Sequence, residues 1–425
     1  MSKQKTKTVD NNILSSETTS KTELCFRKSG AKDWELLQLT PTTTGIKEDE
    51  ERKEHEKIKE KEEHEKIGQA QESLKNMLLQ SMQMQHLVVL AGSGCSYCMG
   101  GPSMSNLWDE IVENNLEEAK LVADEIKYDI TENKNIEAFL SQIEAADFLH
   151  NIDIVKFLNK AKGIILENMK SFLKDKELTA HKTLLHRLSR RRIRDHRLRV
   201  FTTNYDLCFE RAIANIGCIA IDGFSFTVPR RYDPRYFDYD IIRRPRSGED
   251  SGNYLEGVFL LYKLHGSVNW ENTNSNIVET ENPDPQKACL IYPASGKYQQ
   301  SYNQPFIESI SQYLAAIREP NTCVLVMGFG FNDDHLSKPL LSAVRSNSHL
   351  RLIVVDPKIK ENIENNANSH INELSELSIN GEDVWFINEQ FEKFVNRILF
   401  YFRIHLLGFA NSKCIFNFCF NSRFV

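Results

Sequence analysis

The sequence predicts an α/β protein in which helices cover both faces of a doubly wound parallel β-sheet. Four short apolar runs lead to this prediction, and Gly, Asn or Asp follows each one within two residues: 86–90, 198–202, 322–327 and 350–355. Short, mainly apolar runs of this length are typical of strands buried on both faces. Longer amphipathic stretches separate the runs, as helices do between parallel strands.

The composition divides the chain into further segments. Residues 1–46 are polar and predict a disordered tail, because they offer little apolar surface to bury. Residues 47–68 mix both charge signs at helical spacing without the apolar positions of a coiled coil, which favours a solvated charged helix. The α/β domain is predicted over 69–400 with a helical insertion at about 105–196, and 401–425 is left as a C-terminal tail.

Composition also limits the class of protein. A chain of 425 residues that is 40% hydrophobic can bury a full-sized core. A formal net charge of −6 excludes coating of nucleic acid by bulk charge. The nine scattered cysteines favour a reducing compartment, and we find neither a signal-peptide core nor an apolar run of about 18 residues. We therefore expect a cytoplasmic protein without a membrane segment.

A glycine-rich loop follows the first apolar run. Glycines allow the backbone to turn tightly and approach a pyrophosphate, and a helix that starts there offers free N–H groups. The same pattern also occurs in ordinary strand-to-helix turns. The candidate binding residues of this loop are Gly92, Ser93, Gly94, Ser96, Gly100 and Pro102.

Two later strand ends carry polar side chains. Thr203, Asn204 and Asp206 follow the second run, where they could bind ribose hydroxyls and hold a water molecule, although Asp206 taken alone is more typical of a helix cap. His265 ends a further strand in a glycine turn. Histidine titrates near neutral pH and can accept a proton, although a single histidine is more often structural.

Taken together and in this order, these segments resemble the sirtuin family. The first loop matches the family's Gly-Ala-Gly-x-Ser and Gly-x-Pro spacing, with Ser93 in place of the alanine. Gly328 and Gly330 resemble the family's later glycine turn beside the cofactor, and Asp356 lies on a strand similar to the one that reaches the adenosine. The resemblance implies a Rossmann-like fold that binds NAD.

The chain also departs from the family's deacetylases. These enzymes follow Gly-x-Pro with Asp-Phe-Arg, whereas residues 103–105 here are Ser-Met-Ser. They also hold a structural zinc with two CxxC pairs, but the corresponding interval contains only Cys289 before Cys323. We therefore expect no zinc lobe and no metal. The single pair Cys95 and Cys98 has metal or redox spacing, which we interpret as coincidence.

These departures make the chain similar to the zinc-less sirtuin-like domains of prokaryotic antiphage systems. That resemblance implies hydrolysis of NAD to nicotinamide and ADP-ribose, and NAD depletion in antiphage defence by abortive infection. It implies that Asn204 positions the attacking water or a ribose hydroxyl, that Asp206 fixes the ribose or stabilises positive charge, and that His265 is the general base. Asp356 is expected at the adenine ribose.

Two other functions stay open. The pocket could sense NAD or ADP-ribose without turnover, or the chain could be an NAD-dependent protein deacylase or ADP-ribosyltransferase. Residues 187–199 contain seven arginines in thirteen positions, which suit contact with nucleic acid or with an acidic partner subunit, or else a solvated helix end. Any contact with nucleic acid is expected to be indirect. The resemblance implies a homo-oligomer, with a hexameric DNA-translocase ATPase as a partner. The choice between NAD and NADP is left open.

Overall fold

A computed structural model of the chain describes residues 23–38, 50–147, 152–244, 254–273, 276–291 and 304–407. Its main sheet has nine strands in the order β2-β1-β12-β11-β10-β3-β4-β6-β5. These strands are β1 (Cys25–Arg27), β2 (Glu35–Leu36), β3 (His86–Ala91), β4 (Leu198–Thr202), β5 (Ile219–Ile221), β6 (Val258–Lys263), β10 (Thr322–Met327), β11 (Leu350–Val355) and β12 (Val384–Asn388). A three-stranded antiparallel sheet joins β7 (Gly266–Thr273), β8 (Asn276–Glu279) and β9 (Ala288–Leu290).

Helices fill the connections between these strands. They are α1 (Glu50–Ser81), α2 (Gly94–Tyr97), α3 (Met104–Ile111), α4 (Leu116–Ile126), α5 (Ile136–Asp147), α6 (Ile152–Ser171), α7 (Thr179–Leu188), α8 (Cys208–Ala214), α9 (Phe306–Ala316), α10 (Asp334–Ser346), α11 (Ile359–Glu364), α12 (Ser369–Ile379) and α13 (Phe391–Leu407). None of the helices in the described ranges is both long and apolar enough to cross a membrane.

The predicted fold class is confirmed. The seven strands from β12 to β5 pair in parallel, and all four apolar runs are among them. From β3 the chain builds the sheet outward through β4, and it then returns to place β10 on the other side of β3. The strand order therefore reverses between β3 and β10, and in such sheets ligands bind at the carboxyl ends of the strands beside this switch point.

Alternate residues of the central strands face two separate cores. Leu87 and Val89 of β3 pack into the core covered by α1, α7, α8 and α13. Val88 and Leu90 pack into the other core, which α9, α10, α11 and α12 cover. All four residues are at most 1% exposed, which explains why the run is continuously apolar rather than alternating.

The chain between β3 and β4 forms the predicted helical insertion. Its helices α3 to α6 bury a third core of their own, centred on residues such as Trp108, Phe139 and Phe157. Tyr205 and Val268, from the strand ends of the main domain, complete this core. Helix α7, although inside the predicted range, packs instead against α8 and α13 on the sheet. The lobe of α3 to α6 therefore lies over the carboxyl ends of the strands.

The prediction of a tail over 1–46 is wrong for residues 23–38. Strand β1 pairs antiparallel with β12, and Phe26 is fully buried. Strands β1 and β2 have only three and two residues, so the local pattern is too short to reveal them. The partner of β1, strand β12, lies far along the chain. The charged segment predicted at 47–68 is the first part of α1, which continues to Ser81 and buries Leu74 and Leu78. Residues 1–22, 39–49 and 408–425 lie outside the described residues.

Part of the arginine-rich run is used inside the protein. Arg191 is buried and donates hydrogen bonds to the carbonyl oxygens of Met82, at 2.6 Å, and Met84, just after the end of α1. Arg197 pairs with Asp240 at 3.0 Å. These contacts fasten α1 and the 230–240 region to the start of β4, so these two arginines hold the fold together.

Candidate active site

The loops after β3 and β10 cross at the switch point in close backbone contact. A Cβ atom on Gly92 would lie 2.5 Å from the carbonyl oxygen of Gly328, and one on Gly94 would lie 2.6 Å from the Cα of Gly328. Gly328 itself has a φ of +57°, in the left-handed region. We call these three residues the glycine crossing. It can form only because none of the three has a side chain.

A cavity of about 200 Å³ opens on one side of the glycine crossing. It brings together residues from four strand ends that are far apart in the sequence. The predicted site residues that line it are Ser93, Ser96, Pro102, Thr203, Asn204, Asp206, His265 and Gly330. Gly94, Gly328 and Asp356 instead line a second cleft of about 870 Å³ on the other side of the crossing. Gly92 is part of the crossing itself. Gly100 adopts a φ of +83° in the turn before α3.

Ser96 connects the two polar residues of the second strand end. Its hydroxyl donates to Oδ2 of Asp206 at 2.6 Å and accepts from Nδ2 of Asn204 at 2.9 Å. Nδ2 of Asn204 also donates to the carbonyl oxygen of Gly92 at 2.9 Å. Because the amide nitrogen is committed to these two acceptors, Oδ1 is the atom of Asn204 suited to a ligand hydroxyl or a water molecule.

Asp206 also has a structural role. Its Oδ1 accepts from the backbone N–H of Cys208, the first residue of α8, at 2.9 Å, in an Asx turn just before the helix, whereas the N-cap position is Leu207. Since its other oxygen accepts from Ser96, both carboxylate oxygens are held in place, and the side chain is only 4% exposed. The carboxylate is therefore fixed beside the cavity.

His265 lies between β6 and β7 and is 2% exposed. The turn requires Gly266, which has a φ of +82° and whose Cβ would lie 2.1 Å from the carbonyl oxygen of Cys289. The carbonyl oxygen of His265 accepts from the backbone N–H of Ile291 at 2.9 Å. These contacts fix the histidine at the cavity wall.

A second histidine, absent from our sequence-based site, lies against the first. Nε2 of His335 is 3.1 Å from Nε2 of His265, and Asp333 lines the cavity beside them. His335 and Asp333 follow the glycine turn at Gly328. Acidic and histidine residues shortly after a buried strand were the sequence signal that could have predicted them as site residues. Its proximity to His265 depends on the parallel alignment of β6, β4, β3 and β10.

A buried lysine beside the site was also not among the predicted site residues. Lys263, near the end of β6, is 3% exposed, donates to the carbonyl oxygen of Asp206 and forms an ion pair with Glu210 at 3.1 Å. Burial raises the pKa of the Glu210 carboxyl, and the positive charge of Lys263 partly offsets this. The signal in the sequence was a charged residue at the end of an otherwise apolar strand. Lys263 stabilises the chain after β4, which carries Asp206.

The helical insertion supplies the apolar side of the cavity. Met104 from α3, Met169 from α6 and Phe172 after α6 face Phe329 of the β10 loop across the cavity. Apolar walls with a few converging polar groups are typical of small-molecule sites. The cavity can therefore hold a flat, partly apolar group next to Asn204.

The second cleft contains charged groups suited to the other end of a dinucleotide. Asp356 lines it at the end of β11, and burial raises the pKa of its carboxyl. Lys358 and Lys360 lie in the same cleft, and Lys360 pairs with Glu23 from the N-terminal segment. A carboxylate at this position can accept hydrogen bonds from ribose hydroxyls.

The cysteines near the site lie in the first loop and in two separate sheets. Burial raises the pKa of Cys95 well above its usual range and that of Cys98 to about 11, so both remain thiols at neutral pH. Cys289 lies in the three-stranded sheet and Cys323 in the main sheet, so these two do not form a pair. The interval that would contain a zinc lobe contains the sheet of β7, β8 and β9.

The fold and the site together define a parallel α/β protein with a two-part ligand cleft at its topological switch point. Residues 198–376, less than half of the chain, match the family model described as SIR2-like domain. The match contains Asn204, Asp206, His265 and the β10 loop. No curated protein matches the chain.

The chain also matches solved structures of Sir2 homologues at low sequence identity. A Sir2 homologue in complex with NAD is 15% identical, with 78% of this chain and 94% of that chain covered and a TM-score of 0.43. A mutant Sir2 homologue with 2′-O-acetyl ADP-ribose is 14% identical, with coverage of 78% and 97% and a TM-score of 0.42. Likeness at this level does not extend to activity or ligand.

Proposed function

We propose that this protein is an NAD glycohydrolase that cleaves the nicotinamide–ribose bond to give nicotinamide and ADP-ribose. The observation that carries the proposal is the convergence of Asn204, Asp206 and His265 in one cavity beside the glycine crossing. NAD consists of two nucleosides joined by a pyrophosphate. Two clefts that meet at a close backbone crossing suit this shape, with the pyrophosphate at the crossing.

The nicotinamide ring would occupy the cavity and face its apolar wall. The ring carries a positive charge, so the bond from C1′ to the ring nitrogen breaks with both electrons going to nitrogen, and neutral nicotinamide leaves. The ribose then passes through an oxocarbenium-like state, as in other glycosidic cleavages. The fixed carboxylate of Asp206 would stabilise this positive charge electrostatically.

Water completes the reaction at C1′. Oδ1 of Asn204 would accept a hydrogen bond from the attacking water or from a ribose hydroxyl and so orient it. Nε2 of His265 would take the proton that this water releases as its oxygen bonds to C1′. Holding the reactants in this arrangement provides much of the catalysis, and a general base typically contributes about 10²- to 10⁴-fold.

The other predicted residues would bind the rest of NAD. Ser93, Gly94 and Ser96 would contact the phosphates or the ribose, and Asp356 would accept hydrogen bonds from the adenine ribose. Pro102, Thr203 and Gly330 would shape the cavity around the nicotinamide ribose.

A sensor of NAD or ADP-ribose is the second candidate function. The observation in its favour is that both oxygens of Asp206 already accept hydrogen bonds within the protein, as in a rigid binding pocket. A deacylase has less support, because the interval of the zinc lobe holds the sheet of β7 to β9.

We extend the proposal to the cell on the resemblance to zinc-less antiphage domains. In that setting, hydrolysis would deplete NAD in the cytoplasm of an infected cell. Unrestrained loss of NAD would harm the host, so assembly into a homo-oligomer, with a hexameric DNA-translocase ATPase as partner, would control the activity.

The test is release of nicotinamide from NAD by the purified chain, alone and together with the product of any adjacent gene, with NAD binding measured in parallel by calorimetry. Asn204→Ala and His265→Ala should each lower release at least about 10²-fold. Asn114→Ala and His349→Ala, both at exposed positions, are matched controls that should keep wild-type release. NAD that binds without release would support the sensor, and absence of binding would refute both functions.

A further inference from the structure

We propose that His265, Asp333 and His335 form a binding site for a divalent transition-metal ion, with Zn²⁺ the best fit. We further propose that an ion in this site blocks hydrolysis, because it occupies the Nε2 lone pair that His265 uses as a base. The inhibitory effect rests on the proposed function, whereas the metal site stands independently of it.

The spacing of the ligand atoms suits a metal ion. The two Nε2 atoms face each other at 3.1 Å, and one ligand atom from each of the three residues lies within 4.8 Å of the others. Zinc binds imidazole nitrogen at about 2.0–2.1 Å, so two such nitrogens in a tetrahedral site lie about 3.3 Å apart. The histidines already have nearly this separation, and the carboxylate of Asp333 lies within 4.8 Å of both nitrogens.

The donor set selects the class of metal. Two imidazoles and one carboxylate favour zinc and neighbouring transition metals, whereas Mg²⁺ and Ca²⁺ prefer oxygen ligands alone. The single carboxylate neutralises half of the charge of a divalent ion. Water that enters the cavity from solvent can stabilise the remaining charge. The direct contact between the histidines is an alternative use of the same atoms, but a neutral hydrogen bond adds only about 1 kcal/mol of net stability.

Both histidines are held before any ion binds. His265 is fixed by the turn at Gly266, as described above. His335 lies in the first turn of α10 and is 8% exposed. Because the ligands lose little conformational freedom on binding, the fold favours an ion at this position.

The site opens to the cavity, which links it to catalysis. His265 and Asp333 line the cavity, so the coordination positions not filled by protein face the space proposed for nicotinamide ribose. An ion there would both occupy the base and obstruct the substrate. The site differs from the zinc lobe of the deacetylases in position and in ligand type, because its ligands are two histidines and one carboxylate.

The first experiment measures metal binding without NAD. Metal-free full-length chain is titrated with ZnCl₂ by calorimetry, and CoCl₂ is added separately to record visible absorption. Wild type should bind one more equivalent of Zn²⁺ than His335→Ala, and Asp333→Asn should weaken that site about 10- to 100-fold. His370→Ala is the matched control, since His370 contacts the neighbouring Asp334 at 2.7 Å.

Because His335 is buried, circular dichroism should verify that His335→Ala is folded, and the isosteric Asp333→Asn provides an independent variant. Equal stoichiometry and affinity in wild type, His335→Ala and Asp333→Asn would overturn the site.

The second experiment measures inhibition of nicotinamide release. Zn²⁺ should suppress release by wild type, EDTA should restore it, and His335→Ala should lose at least about 10-fold in sensitivity to Zn²⁺ relative to its own metal-free rate. Binding without inhibition would overturn the regulatory role. Absence of release in EDTA would instead count against the proposed function, while the calorimetric result would still decide the metal site.

Discussion

Gly94 and Gly328 contact each other so closely that a Cβ atom on either residue would lie 2.6 Å from the Cα of the other. One residue follows β3 and the other follows β10, the two strands that flank the switch point. This contact separates the cavity with His265 from the cleft with Asp356, so that only backbone atoms of the two glycines lie between them.

Gly328→Ala should destabilise the protein by more than about 1 kcal/mol, because a positive φ and a backbone contact both oppose the methyl group. It should also abolish NAD binding. Urea denaturation and calorimetry measure the two effects. Gly68→Ala in the middle of α1 meets nothing within 4 Å, so it should be neutral or stabilising by up to about 1 kcal/mol. Equal effects from the two substitutions would contradict the role of the crossing.

Ser96→Ala should lower both stability and nicotinamide release, because it removes the hydroxyl shared by Asn204 and Asp206. We expect a loss of about 1–3 kcal/mol from leaving buried polar groups unpaired. Denaturation and the nicotinamide assay test this together. Ser311→Ala, at an exposed helical position, should change neither quantity, and wild-type release by Ser96→Ala would argue against the network.

His181 should make the protein less stable in mild acid. It is fully buried between Phe209 and Phe391, and burial lowers its pKa from 6.5 to about 4, with Asp206 opposing the shift. The unfolded chain therefore binds a proton below pH 6.5 that the folded chain refuses until about pH 4. The stability from this residue is complete above pH 6.5 and is lost as the pH falls toward 4, by about 3 kcal/mol in total.

His181→Leu tests this pH dependence directly. The variant should lose less stability than wild type between pH 7 and pH 4.5 in urea denaturation, because leucine takes up no proton in either state. His349→Leu is a suitable control, as that histidine is exposed. Parallel stability curves for wild type and His181→Leu would show that other groups cause the acid response.

Cys95 should resist alkylation in the folded protein. Its thiol is buried, donates to the carbonyl oxygen of Met327 at 3.2 Å and has a pKa raised well above its usual range. Because the thiolate is the reactive form, iodoacetamide at pH 8 should label Cys95 only after denaturation. Mass spectrometry of folded and denatured samples measures this, and rapid labelling of folded chain would revive a redox role for the pair with Cys98.

Local patterns were enough to predict the parallel sheet and to propose residues at the ends of its strands. The run at 86–90 is apolar because both faces of β3 are covered, and the residues after it include glycines because two backbones meet there. Asn204 and His265 were predicted as site residues for a similar reason. Strand ends of a parallel sheet meet at one edge, so polar residues after buried runs are expected to converge.

Other features depended on contacts between distant parts of the chain. Strand β1 is too short to stand out, and it became visible through its pairing with β12, where Cys25 lies opposite Asn388. Ser96 lies 110 positions from Asp206, and His265 lies 70 positions from His335. The sequence by itself determined which residues could be buried and where strands end. Only the tertiary structure decided which strand ends are neighbours, because sheet order results from packing the whole chain rather than from any local pattern.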